Sequence, residues 1–203
     1  MRILLFAIRL SVTAGLLFCQ AASGQEVSAT SPGIATAPGA GPSAAPLKVV
    51  FLRHAEKPLK GDNLSCQGLN RSMLLPPMLY ARFGIPTATY IPSMALGDST
   101  KHSRMFQTLI PFAVKYNLAL TSKFEEKDSV GIARDILEKK GTVLVVWEHK
   151  CIVSIVRALG IDDKMLRWPD DDYESIWTIT FENGKARMSR STEGLQPSEV
   201  CPF

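Results

Sequence analysis

Two short runs carry apolar residues at every position rather than at alternate ones: Val49 to Leu52 within KVVFLRHAEK, and Val143 to Trp147 within TVLVVWEHK. Unbroken runs of this length mark strands buried on both faces, the pattern of a parallel sheet covered by helices. Between and after them the period changes. In LSCQGLNRSMLLPPMLYARFG, Ser65 is placed to cap a helix on which Leu69, Met73 and Leu74 fall at helical spacing, and Pro76 and Pro77 are expected to kink or end it. PTATYIPSMAL, from Pro86, predicts a second short extended element. DSTKHSRMFQTLIPFAVKYNL predicts a helix with Met105, Leu109, Phe112 and Ala113 on one face and Ser99 or Ser103 as its cap. SVGIARDILEKKG predicts another, with Ile132, Ile136 and Leu137 inward and Gly141 as its stop. CIVSIVRALG repeats the helical period and closes on Gly160. YESIWTITFENGKARMSR predicts a hairpin turning at Asn183-Gly184 with a short return strand. Strands alternating with helices predict an α/β domain whose sheet is mostly parallel and has helices on both faces.

Composition changes the picture at the ends of the chain. Arg2 and Arg9, the apolar stretch Leu10 to Phe18 and the small residues Ala22-Ser23-Gly24 predict a signal peptide over residues 1–24. Arg9 divides the segment, which argues against a stable span of about 20 apolar residues. Phe18 stands where a lipoprotein signal would need a small residue before Cys19. Residues 25–46 are rich in Ala, Pro, Gly, Ser and Thr with almost no charge, and predict a disordered tether, leaving residues 47–203 as one folded domain. The net charge of +4 is spread along the chain. Nothing resembles a nucleic-acid arm or a polybasic membrane patch, so no nucleic-acid partner and no membrane insertion after signal cleavage are expected. Cys66, Cys151 and Cys201 lie outside any CxxC or metal-ligand spacing; one disulfide and one free thiol fit an oxidising compartment, with the pairing left open.

The chemistry gathers at the ends of the two buried strands. His54 follows VVFLR and His149 follows VLVVWE, and in open parallel sheets ligands bind beyond the carboxyl ends of strands, where the two imidazoles could share one crevice. Arg53 beside His54 sharpens this, because a guanidinium at a buried strand end is costly unless it meets an anion. In SRMFQT, Arg104 falls near a helix start, a second feature that favours phosphate.

LRHAEK, LSCQGLNRS, SRMFQT and VVWEH, in that order and rough spacing, resemble the histidine phosphatase superfamily with its phosphoglycerate-mutase-like fold, a three-layer α/β sandwich. The resemblance implies that His54 is the nucleophile that accepts a phosphoryl group, that Arg53 and Arg104 clamp its oxygens, and that His149 completes the phosphate pocket. Glu56 takes the place of the Glu in the family's Arg-His-Gly-Glu motif, with Ala55 where the family has Gly. Such chemistry stabilises charge on phosphoryl oxygens with fixed cations and calls for no cofactor and no metal.

The general acid is less legible. Lys150 stands where the phytase-like branch has Asp, so Glu148 and Glu125 are the candidates, with Glu126 and Asp128 nearby and FEEKD otherwise reading as a solvated loop. The run Asp170 to Asp172 reads as a solvent-facing turn, with a cap over the crevice as the alternative. Without neighbouring His or Cys it does not suggest a zinc site. Together these readings predict a periplasmic or secreted phosphomonoester hydrolase acting on a small phosphorylated substrate. The alternative is a non-catalytic module of the same fold that binds phosphate. Oligomeric state is not written in the sequence.

Overall fold

The chain runs β1 (Lys48–Arg53), α1 (Cys66–Phe83), β2 (Ala88–Tyr90), α2 (Ser103–Tyr116), α3 (Ser129–Leu137), β3 (Thr142–Trp147), α4 (His149–Ala158), β4 (Ser175–Glu182) and β5 (Lys185–Thr192). This is a computed structural model, and it describes residues 45–95 and 102–203. The expected signal segment and all but the last two residues of the expected tether lie outside the described residues. Ala45 is already engaged, its carbonyl accepting from Gly141 N at 3.0 Å.

The five strands are ordered β2-β3-β1-β4-β5. β1 and β2 both pair with β3 in parallel, while β4 runs antiparallel to both its neighbours, so only β4 opposes the others in direction. Successive residues of a strand face opposite sides of a sheet. Val50, Leu52, Leu144 and Val146 accordingly meet α1 and α2 through Leu75, Leu79, Leu109 and Phe112. Val49, Phe51, Val143 and Val145 meet α3 and α4 on the other side through Ile132, Ile136, Ile152 and Val156. Both faces are covered, which is why the two central strands read as unbroken apolar runs.

Several local expectations need correction. α1 continues through Pro76 and Pro77 to Phe83. Each proline removes a helical hydrogen bond, but Leu75, Pro76 and Leu79 are buried against the core, and that packing holds the helix together. Its inward face is Gly68, Arg71, Ser72, Leu75 and Leu79, leaving Met73 and Leu74 exposed. Leu137 is exposed as well. α2 is entered through His102 in the left-handed region, with no side-chain cap. Ser103 Oγ instead donates to Asp62 O at 2.7 Å, and Ser99 lies outside the described residues. Ser65 does cap α1, accepting from Gly68 N. Asn183 and Gly184 both have positive φ, as a tight hairpin turn demands, but the return strand β5 is as long as β4.

Cys66, at the start of α1, is disulfide-bonded to Cys201, and Cys151 is free. Asn70 reinforces the link, its Nδ2 donating to the carbonyls of Ser198 and Val200 at 2.8 and 2.7 Å.

Candidate active site

Because β1 and β3 are parallel and in register, Arg53 pairs with Trp147, and His54 N donates to Trp147 O at 3.1 Å. The segments Arg53-His54 and Glu148-His149 therefore leave the sheet side by side. Adjacency in the sheet supplies the proximity that spacing along the chain left open.

His54 is 2% exposed. Its Nδ1 lies 2.7 Å from Ala55 O. A carbonyl can only accept, so Nδ1 carries the proton and Nε2 keeps its lone pair. Burial above all, opposed by the hydrogen bond to Ala55 and aided by Arg53, Arg104 and the neighbouring His149, pushes the imidazole down to about 3, so it stays neutral through the physiological range. Tyr173 approaches it edge-on, with ring centroids 6.0 Å apart.

Arg53 is buried, and its guanidinium stacks 3.9 Å from the centroid of the Tyr173 ring. Nη1 donates to the carbonyls of Asp170 at 2.7 Å, Asp172 at 3.0 Å and Pro169 at 3.4 Å. Among the described residues, Nε has no partner. Burial lowers this arginine from its ordinary range while Tyr173, Glu148, Asp170 and Asp172 oppose the shift. Arg104 enters from the first turn of α2. Thr108 ties that turn to the loop after His54 by accepting from Ala55 N at 2.9 Å and donating to Arg104 O at 2.7 Å. Gln107 does the same further along, accepting from Leu64 N at 3.0 Å.

His149, the first residue of α4, lies between two carboxylates: Glu148 Oε1 is 2.6 Å from Nδ1, outside hydrogen-bond alignment, and Asp170 Oδ1 is 2.6 Å from Nε2. Glu148 is also the helix cap, its Oε2 accepting from the backbone of Lys150 and Cys151 at 2.8 and 3.1 Å. Burial pushes the Cys151 thiol up to about 12, which leaves it without thiolate character.

The remaining sequence candidates separate. The Glu56 carboxylate is taken up by Arg71, which grips both its oxygens from Nε at 2.9 Å, adds Nη2 to Oε1 at 2.7 Å, and reaches Glu193 Oε2 from Nη1 at 2.6 Å. Glu56 thus anchors the loop after His54. Gly68 is required by the same anchor, since a Cβ there would lie 2.2 Å from Glu56 O. Glu125 is exposed. Its neighbour Glu126 turns inward, with Oε2 2.6 Å from His102 Nδ1 and its carbonyl accepting from Trp147 Nε1 at 2.8 Å. The segment Pro169 to Tyr173 is a wall of the site and not the free solvent turn first expected.

Sequence reasoning missed Arg71, Glu193, Thr108 and the positions of Asp170 and Tyr173. The aspartate run and its aromatic neighbours stood out, but only folding brings them across more than a hundred residues to Arg53. Among the described residues no group of His, Cys, Asp and Glu is arranged to hold a metal ion, and no helix is long and apolar enough to cross a membrane.

No protein-family model and no curated protein matches the chain. Solved structures do. The protein histidine phosphatase SixA complexed with tungstate is 18% identical, with 72% of this chain and 97% of that one covered at a TM-score of 0.52. A protein from Agrobacterium tumefaciens described as a phosphohistidine phosphatase SixA is 14% identical, with 72% and 98% covered and the same TM-score. An Escherichia coli protein described as an alpha-ribazole-5'-P phosphatase is 14% identical, with 78% and 99% covered at 0.50. The chain shares the α/β, phosphoglycerate-mutase-like fold of these histidine phosphatases.

Proposed function

We propose that the chain is a metal-independent phosphatase that hydrolyses a small phosphorylated substrate through a phosphohistidine on His54. The observation that carries this is the state of His54: its Nδ1–H is committed to Ala55 O, which leaves Nε2 as a neutral nucleophile held among Arg53, Arg104 and His149. Nε2 forms a bond to phosphorus as the bond to the leaving group breaks. Water then attacks the phosphohistidine, returning the N–P electron pair to Nε2 and releasing phosphate. The two guanidiniums and the His149 imidazole bind the phosphoryl oxygens, and one such donor typically contributes a hundred- to a thousandfold in rate. The resemblance of RHAE, SRMFQT and WEH to the superfamily and the shared fold with proteins described as phosphatases support the same reading.

We also place the protein in the periplasm or outside the cell, a reading supported by the N-terminal signal pattern and by the Cys66–Cys201 disulfide. An oxidising compartment without bisphosphorylated activators favours hydrolysis over mutase chemistry.

The test is hydrolysis of p-nitrophenyl phosphate and alkyl phosphomonoesters by the full chain from pH 4 to 8 with chelator present, beside His54→Ala. Turnover that vanishes in His54→Ala while inorganic phosphate still binds supports the reading. A wild-type chain that binds phosphate without turnover would make it a phosphate-recognising module instead.

A further inference from the structure

Protonation of the leaving group is the step for which the sequence offers no settled residue: Glu148 is spent as a helix cap and Glu125 is exposed. The carboxylate that meets the phosphate ligands comes from the Pro169–Tyr173 wall. Asp170 accepts from Arg53 Nη1 through its backbone carbonyl at 2.7 Å, and its Oδ1 lies 2.6 Å from His149 Nε2. Its side chain is nonetheless 79% exposed. The nucleophile lies at the buried side of the same constellation. In-line displacement from a buried imidazole sends the leaving group toward solvent, and Asp170, whose carboxylate is exposed, is paired with the same His149 and Arg53.

Resting on the phosphatase reading above, we propose that Asp170 is the general acid and base of the reaction, and that substrate binding arms it. His149 Nε2 is the donor a phosphoryl oxygen needs, so binding displaces the Asp170 side chain from it. The backbone stays fixed by Arg53, so the displaced carboxyl remains beside the ligand. It has then exchanged a hydrogen-bond donor for a dianionic neighbour, and both changes favour uptake of a proton from solvent. In the resting site the pairing with His149 and Lys150 Nζ at 3.5 Å holds it ionised. The charged groups facing it are Arg53, His149, Lys150 and, through His149, Glu148.

As the bond from phosphorus to the leaving oxygen breaks, that oxygen takes the electron pair and the Asp170 proton. In the second step the Asp170 carboxylate removes a proton from the attacking water, and the electron pair of the N–P bond returns to His54 Nε2. Asp170 ends as it began the chemical cycle, and the net change is ester plus water to alcohol plus phosphate.

Leaving-group dependence reads this directly. A good leaving group needs no proton, so Asp170→Asn should slow alkyl phosphomonoester hydrolysis by about a hundredfold or more and p-nitrophenyl phosphate hydrolysis by less than about tenfold. It should also erase the alkaline limb of the pH–rate profile on alkyl esters. Asp170→Glu should recover part of the alkyl activity, and Asp171→Asn, which removes the same charge from the adjacent exposed position, should leave the leaving-group dependence as it was. An equal loss on both substrates, or a lower KM with unchanged dependence, would overturn the assignment and leave Asp170 a mere occupant of the phosphate pocket. Aryl turnover that depends on His54 keeps the phosphatase reading intact in that event. A wild-type chain without any turnover overturns both.

Discussion

Replacing Glu193 by Gln tests the electrostatic anchor beneath the loop that follows His54. Glu193 is 6% exposed and shares Arg71 with Glu56, so one guanidinium serves two buried carboxylates, with Glu174 Oε1 a further 3.8 Å away. The cluster carries an excess negative charge out of water. Burial is the largest influence on Glu193; it outweighs the pull of Arg71, and with Glu56 and Glu174 it raises the carboxyl to about 7 from 4.5. The folded chain therefore keeps a proton that the unfolded chain gives up above about 4.5. The stability this confers is fully present below that pH and is lost as pH rises through about 7. At about 1.4 kcal/mol per pH unit the loss is roughly 3 kcal/mol, a large share of the 5–15 kcal/mol typical of a domain. Gln mimics the protonated carboxyl and can still accept from Arg71. Urea denaturation of the full chain and Glu193→Gln at pH 5, 6, 7 and 8 should show an advantage for the variant of under about 1 kcal/mol at pH 5 that grows to about 3 kcal/mol by pH 8. His54 contributes the opposite slope: its lowered value means that stability falls as pH drops from about 6.5 toward 3, and this cancels in the difference between the two proteins. A variant that loses stability as pH rises, relative to the parent, would show that the Glu193 charge strengthens the anchor, and the reasoning would fail.

The imidazole of His54 should not titrate between pH 5 and 8, which nitrogen-15 shifts of the ring would report; a midpoint near 6.5 would show that the burial and cationic field described above are wrong. Gly68→Ala should cost about 3 kcal/mol, since the new methyl group meets backbone and not a side chain that can swing away, and kcat should fall with it as the Glu56 loop shifts. Urea midpoints and steady-state rates on p-nitrophenyl phosphate measure both, and an unchanged midpoint would mean that α1 retreats freely from the loop.

The central sheet was legible because burial on both faces leaves a one-dimensional trace: VVFL and VLVVW admit no polar position. The meeting of Arg53, His54 and His149 was legible for a related reason, since they stand at or just beyond the carboxyl ends of those two strands. What failed was set by tertiary contact. Pro76 and Pro77 ordinarily break a helix, yet the buried side of α1 outweighs the lost hydrogen bonds. Glu56 looks like a ligand from its place two residues after His54, and only the arrival of Arg71 from α1 and Glu193 from the end of the hairpin reveals it as an anchor. Nothing local to Asp170 records that Arg53 and His149 wait for it; three consecutive aspartates look like any solvated turn until the chain is closed.

The Cys66–Cys201 link, with Asn70 beside it, makes a covalent ring that starts at the helix bearing Gly68 and Arg71 and closes two residues from the last. Force applied at the C-terminus, by an attached domain or a surface, therefore does not peel β5 from the sheet edge. It is delivered to the first turn of α1, the turn whose Gly68 seats the loop that follows His54.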